Sequence, residues 1–327
     1  MQNKTLNILV TGVGAIIGYG IIENLKKSEY ECNVIGIDIY SDAVGQYWCD
    51  KFIKGVRSDS NEFINFINTI VEEENIDLVI PGIEQDLEKL IKEYKKLSSR
   101  AKYVLNNKEL HEVFNDKKKT YQFLKNEISL IPTLHFEENL YEKAKIELGL
   151  PFIMKQNISY ASKGVEVISS KDEFNWYIHK FGTNCVAQKK LDINNKEFTC
   201  SIFGLGNGKF VNAICLNREL SAEGATKKAK NTSIDNSMMQ TLHAICAKCK
   251  FEGPTNLQFI YHEEEYLLLE INARTSSSTS IRRVFGVNEA EMCIDYYLFN
   301  KISDVFVQKQ GTVIRYIKDA YLDSDNF

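Results

Sequence analysis

No stretch of this 327-residue chain approaches the roughly 18 consecutive apolar residues that a membrane-crossing helix needs. The amino end also lacks a charged run followed by a long apolar one, the mark of a secretory leader. The expectation is therefore a cytoplasmic protein with no membrane partner. An excess of one charge is missing too, since 40 lysines and arginines stand against 44 aspartates and glutamates, a net charge of −4. Basic residues are scattered, the sharpest run being Lys117-Lys118-Lys119, so there is no nucleic-acid footprint. The eight cysteines show no disulfide framework and read as reduced, mostly buried thiols. Cys246-x-x-Cys249 falls in a helical run without a second Cys or His pair at metal spacing, which argues against zinc. The five histidines form no Ser-His or Cys-His arrangement, and repeats and low-complexity tracts are absent. What is present, 44% hydrophobic residues, suffices for a large core spread over about two or three domains.

Residues 1–100 alternate strand and helix. A strand at 7–10 runs into the glycine turn Gly12-Val13-Gly14-Ala15-Ile16-Ile17-Gly18. A helix follows to Leu25, then a strand at 33–39 carrying Asp38, a helical stretch at 63–74, and a strand at 76–80 ended by Pro81-Gly82. Such alternation predicts a small parallel sheet with helices on its faces. The turn, with Asp38 about 20 residues further on, raises a dinucleotide reading, hence an NAD(P)-dependent sugar-nucleotide enzyme. However, G-x-G-x-x-x-G is one residue longer than that fingerprint, and no Lys-Ser/Thr follows to make a Walker loop.

A connector at 101–115 leads to a helix at 117–128, capped by Asn115 or Asp116, with Tyr121, Leu124 and Ile128 on one face. Further on, an apolar strand at 150–154 ends in Lys155, and the polar loop 156–164 contains Ser162-Lys163-Gly164. A lysine at a strand end facing such a loop is what a phosphate clamp requires, because ammonium groups neutralise charge while backbone N–H groups bind oxygens. Near the C-terminus, 253–260 and 267–272 read as a hairpin around the polar segment 262–265. A three-residue loop at 263–265 sets Gln258 opposite Glu270, at the roughly 4.5–5.5 Å Cβ spacing of cross-strand partners. Asn272 then shares their face. Three oxygen-bearing side chains on one spot suit Mg²⁺, which takes few protein oxygens and completes its shell with water and phosphate.

Taken in order, these stretches resemble the ATP-grasp superfamily, in particular its carbamoyl-phosphate-synthetase-like carboxylate–amine ligases. The resemblance implies an α/β fold, α+β in the C-terminal half. A Rossmann-like pre-ATP-grasp domain would occupy 1–108 and a two-lobed ATP-grasp domain 109–327. In the latter, a lid-bearing lobe at 109–187 carries the phosphate loop, and a lobe at 188–327 carries the adenine hinge and metal site. It further implies that Gln258, Glu270 and Asn272 bind Mg²⁺ (or Mn²⁺), and that Arg274 and Lys155 are catalytic, Arg274 on the transferred phosphate. Lys117 and Lys155 would grip ATP phosphates under a lid of Ser162, Lys163 and Gly164. Gln188, Lys189 and Leu191 would form the adenine hinge, Glu197 would bind ribose, and Arg218 a phosphate or carboxylate. Departures are Ala273 and Gln156 where the family has Pro, and a hinge loop two residues longer than usual. The serine-rich run 275–280 with Arg282 and Arg283 suits an anionic intermediate.

The activity so implied is ADP-forming. ATP phosphorylates a small carboxylate, and an amine displaces phosphate from the acyl phosphate. The alternative on the same fold is a small-molecule kinase or nucleotide-binding regulator. Expected partners are small-molecule substrates, with a homodimer as the oligomer common in the family.

Overall fold

The computed structural model describes residues 5–106, 108–159, 164–192, 196–221 and 224–321. Its amino-terminal part is a five-stranded parallel sheet in the order β3-β2-β1-β4-β5. The strands are β1 (Leu6–Thr11), β2 (Cys32–Asp38), β3 (Lys51–Lys54), β4 (Leu78–Ile80) and β5 (Lys102–Tyr103). Connecting helices are α1 (Ile16–Leu25), α2 (Phe63–Glu73) and α3 (Glu84–Lys92). The apolar runs of β1, β2 and β4 are buried on both faces, as a helix-covered parallel sheet demands.

The glycine turn is a packing device. Gly12 has φ +61°, and a Cβ on Gly18 would lie 2.2 Å from the Gly12 carbonyl oxygen, so helix and strand approach only because both residues are glycine. Asp38 is spent inside the same turn, accepting from the Gly14 N–H at 2.8 Å and the Tyr40 N–H at 3.1 Å. Beside it Asp86 is buried, and desolvation lifts its carboxyl to about 6 despite hydrogen bonds from Thr11 and Ser58. A raised carboxyl contributes stability that is full below its ordinary 3.8 and is lost as pH rises through about 6. Asp86→Asn is therefore expected to raise unfolding free energy by ~1–2 kcal/mol near pH 7.5 and little near pH 4. Urea titrations at both pH values check this, and an equal effect at both would contradict it.

Two antiparallel sheets make up the remainder. The smaller, ordered β6-β9-β7-β8, contains β6 (Thr133–His135), β7 (Phe152–Gln156), β8 (Val165–Ile168) and β9 (Cys185–Lys189). Its helices α6 (Leu140–Glu147) and α7 (Lys171–Phe181) bury Leu140, Ala144, Phe174 and Tyr177 against Phe152 and Met154. The larger sheet runs β14-β13-β10-β11-β12-β15: β10 (Glu197–Leu205), β11 (Phe210–Leu220), β12 (Thr226–Thr232), β13 (Glu252–His262), β14 (Glu265–Asn272) and β15 (Thr312–Ile314). Helix α8 (Asn236–Cys249) covers one face through Met238, Leu242, Ile245, Cys246 and Cys249, a helical stripe in which each large side chain contributes roughly 1.5–3 kcal/mol of burial. Helices α9 (Thr279–Val284) and α10 (Glu289–Phe299) cover the other and meet α1, so one apolar cluster runs from the parallel sheet into the large one.

Several expectations are corrected here. The connector 101–115 contains helix α4 (Lys108–Phe114), formed because Leu110 and Phe114, one turn apart, bury against the α8 layer. Helix α5 spans Lys117–Leu124 rather than 117–128, and Asp116, not Asn115, caps it by accepting from the N–H groups of Lys118 and Lys119. Leu110, Phe114 and Leu124 pack with the large sheet, and β9 continues to Lys189 in the small one. The boundary placed at 187/188 falls inside β9, and 109–124 touches both sheets, its apolar side chains on the large one and Tyr121 edge-on to His135 of the small one. Finally, Cys200 and Cys215 are register partners on β10 and β11 and are joined as a disulfide, which revises the reading of eight thiols. The remaining six are free. Burial pushes Cys246 up to about 11 and raises Cys249 too, as for inert core thiols.

Candidate active site

A cavity of ≈ 520 Å³ opens between the two antiparallel sheets and is closed at one end by the first turns of α1 and α3. Of the residues singled out from the sequence, Lys117, Lys155, Gln188, Glu197, Arg218, Gln258, Glu270, Asn272 and Arg274 line it. Lys189, Leu191 and Gly164 do not. Leu191 buries its side chain with Ile131, Ile260 and Leu267, and the Gly164 carbonyl accepts from the Tyr177 hydroxyl at 2.8 Å. Arg282 and Arg283 also lie outside the lining, and Ser162 and Lys163 lie outside the described residues.

At one end two lysines meet. Lys155 sits on β7 and donates to Gln188 Oε1 on β9 at 2.5 Å, while Gln188 Nε2 donates to Thr133 Oγ1 at 3.0 Å. Lys117 opens α5 and donates to Ser159 Oγ at 3.0 Å. Burial, and then the charge of Lys117, lowers the Lys155 ammonium to about 8, against the opposing pull of Glu270 and Glu197. Burial lowers Lys117 as well. Two desolvated cations held side by side favour a polyanion between them.

The hairpin β13–β14 supplies the middle. Its turn is two residues, Glu263 and Glu264 with φ 48° and 65°, a twist-matched connection of the primed type. His262 pairs with Glu265, not Tyr266, and a bulge between Gln258 and Phe259 takes up the difference, so Gln258 still faces Glu270 and Asn256 faces Asn272. The expected pairing stands although the turn that led to it was one residue too long. Gln258 Oε1 accepts from Arg218 at 2.8 Å, and Asn272 Oδ1 accepts from Arg274 at 2.9 Å. Glu270 has no ion pair among the described residues. An all-oxygen donor set with one free carboxylate fits a hard divalent cation such as Mg²⁺. A second acidic group, Glu84, Glu88 and His111, is engaged otherwise: Arg274 holds Glu84, and Asn115 binds both Glu88 and His111.

Arg218 lies with Glu197 in an ion pair largely shielded from solvent, with an Nε–Oε1 distance of 2.9 Å. Sequence reasoning missed Glu84, which grips Arg274 across the molecule, and Ile16 and Ile17, which line the cavity from α1. Glu84 follows Pro81-Gly82 at the carboxyl end of β4, a place where parallel sheets commonly bind ligands, and that position was the available signal.

Comparison with known proteins agrees with this architecture. Residues 190–320 match the family model described as "ATP-grasp in the biosynthetic pathway with Ter operon", and residues 8–102 match "PylC-like, N-terminal domain". A carbamoyl-phosphate synthase of Methanobrevibacter smithii is 24% identical over 277 residues, 75% of this chain and 74% of the relative. N5-carboxyaminoimidazole synthetase from Staphylococcus aureus, solved with ADP, superposes with a TM-score of 0.73 at 17% identity, over 93% of this chain and 80% of that one. Biotin carboxylase from Campylobacter jejuni, solved as a β,γ-ATP complex, gives 0.73 at 15% identity, over 94% and 74%. Residues 190–320 thus match an ATP-grasp family model and residues 8–102 a PylC-like N-terminal domain, on a fold shared with these ATP-grasp neighbours.

Proposed function

We propose that this protein is an ADP-forming ligase that activates a small carboxylate as an acyl phosphate and joins it to an amine. The observation that carries the reading is the convergence of Lys155, Lys117 and the Gln258/Glu270/Asn272 oxygens on one cavity, with Arg274 beyond them. Lys117 and Lys155 grip nucleotide phosphates, and Glu197, oriented by Arg218, accepts from ribose hydroxyls. Of the expected hinge residues, Gln188 lies in the cavity wall at the end of β9, beside the space for the adenine. Gln258, Glu270 and Asn272 would hold Mg²⁺ or Mn²⁺, which would supply charge neutralisation for the phosphate oxygens. Arg274 balances charge as the substrate carboxylate oxygen attacks the γ-phosphorus and the bond to the ADP oxygen breaks. The amine nitrogen then adds to the acyl carbon, phosphate leaves, and the amine proton goes to solvent. Such catalysis is mostly positioning and charge neutralisation, and no side-chain nucleophile is required.

Support comes from the ATP-grasp matches and from neighbours whose structures hold ADP, an ATP analogue, or MgADP with bicarbonate. A screen of amino acids and sugar acids for ADP release, with hydroxylamine as the trapping amine, tests the reading. A hydroxamate that forms only with ATP and the right acid is the expected product. Phosphorylated acid that accumulates and resists hydroxylamine would favour a kinase instead.

A further inference from the structure

The serine turn after Arg274 is held by an arginine from near the far end of the chain. Arg315 follows β15, a three-residue strand at the edge of the large sheet. Its guanidinium donates to the Thr226 carbonyl at 3.1 Å, to the Ser277 carbonyl, and to Ser280 Oγ at 3.4 Å. Ser277 lines the end of the cavity beyond Arg274, and Thr226 directly follows Gly224 and Ala225, which line it from β12's side. One rigid fork therefore ties two walls that belong to different loops. Around it, Ile314 is 63% and Tyr316 81% exposed, so little apolar burial other than that of Val313 anchors this strand.

Charge sets Arg315 apart from the neighbouring arginines. Arg274 pairs with Glu84, Arg282 with Glu289, and Arg283 with Glu23, whereas Arg315 has no ion pair among the described residues. Glu23, whose charge reaches it, is already held by Arg283 at 3.3 Å. Desolvating a cation without a carboxylate is costly, and the cost falls when an anion arrives nearby.

We infer that Arg315 is a positioning residue for the acceptor end of the cavity, fixing its two walls and supplying the surplus positive charge that favours a carboxylate or acyl phosphate there. The identity of that anion rests on the function proposed above. Arg315→Gln and Arg315→Lys test it in the full-length chain by amide hydrogen exchange and by kinetics with the acid found in the ADP-release screen. In Arg315→Gln, exchange at 224–228 and at 275–280 accelerates together, and KM for the acid rises about tenfold or more while MgATP affinity stays within about twofold. Arg315→Lys, which keeps the charge but loses the fork, gives an intermediate KM and carries the test if the glutamine variant does not fold. Unaltered exchange in either segment, or MgATP weakened as much as the acid, overturns the inference. If the wild type releases no ADP with any acid, the proposed reaction fails, while the exchange result still decides for or against Arg315.

Discussion

Lys155→Met should make the ligand-free protein more stable at pH 7 and leave it without ATP-dependent turnover. The Lys155 ammonium is half-buried in the cavity wall and is lowered from 10.5 to about 8, first by desolvation and then by Lys117. A base depressed in the folded state contributes stability that is present above its unfolded value and lost as pH falls through the folded one. At pH 7 the lysine therefore costs on the order of 3 kcal/mol. Methionine keeps the length without the charge, and releasing the hydrogen bond to Gln188 gives back about 1 kcal/mol. The remaining gain corresponds to a rise of a few degrees in thermal midpoint, and it should vanish above about pH 10.5, where the wild-type amine is neutral in both states. Thermal melts across pH check this, and a variant no more stable than wild type at pH 7 contradicts it. The same group gives a second signature: nucleotide phosphate recharges the amine, so binding near pH 8 takes up roughly half a proton, measurable by calorimetry in buffers of different ionisation enthalpy.

Glu270→Gln should slow turnover by roughly 10²–10³-fold, in the range of losing one well-placed electrostatic contact in a water-poor site. Glu270 is exposed and has no ion pair among the described residues, so stability should move by less than about 0.5 kcal/mol. The substitution keeps shape and removes the only negative charge among Gln258, Glu270 and Asn272, so on the proposed reading the Mg²⁺ concentration at half-maximal rate should also rise. Because Glu270 holds the Lys155 value up, the glutamine variant should drop that value further and take up more protons on binding nucleotide. Equal rates and equal Mg²⁺ dependence in variant and wild type would remove Glu270 from the metal site.

What was readable in the sequence and what was not differ in range. The βαβ opening, the Lys155 strand and the Gln258/Glu270/Asn272 hairpin are local patterns, and each side chain's face follows from its own strand. The hairpin register shows how narrow that success was, because a two-residue turn plus a bulge reproduces the pairing that a three-residue turn predicted. Helix α4 was hidden because seven residues carry little periodic signal. The contacts that complete the site join distant positions: Glu84 to Arg274, Glu197 to Arg218, Ser277 to Arg315. They depend on how the sheets are placed, which no single segment encodes. The Cys200–Cys215 disulfide was missed for the same reason, as it depends on the register of two strands.

The most direct test of the central claim is the identity of the nucleotide product. The two lysines, the Gln258, Glu270 and Asn272 oxygens and Arg274 all line one cavity, and the proposed reaction breaks the bond from the γ-phosphorus to the oxygen that bridges it to the β-phosphorus. With the acid found in the screen, chromatography of the quenched reaction should show ADP and phosphate in equal amounts, formed in step with hydroxamate when hydroxylamine is present. AMP and pyrophosphate in their place would contradict the account, because an adenylate-forming enzyme needs its charge stabilisation at the α-phosphate.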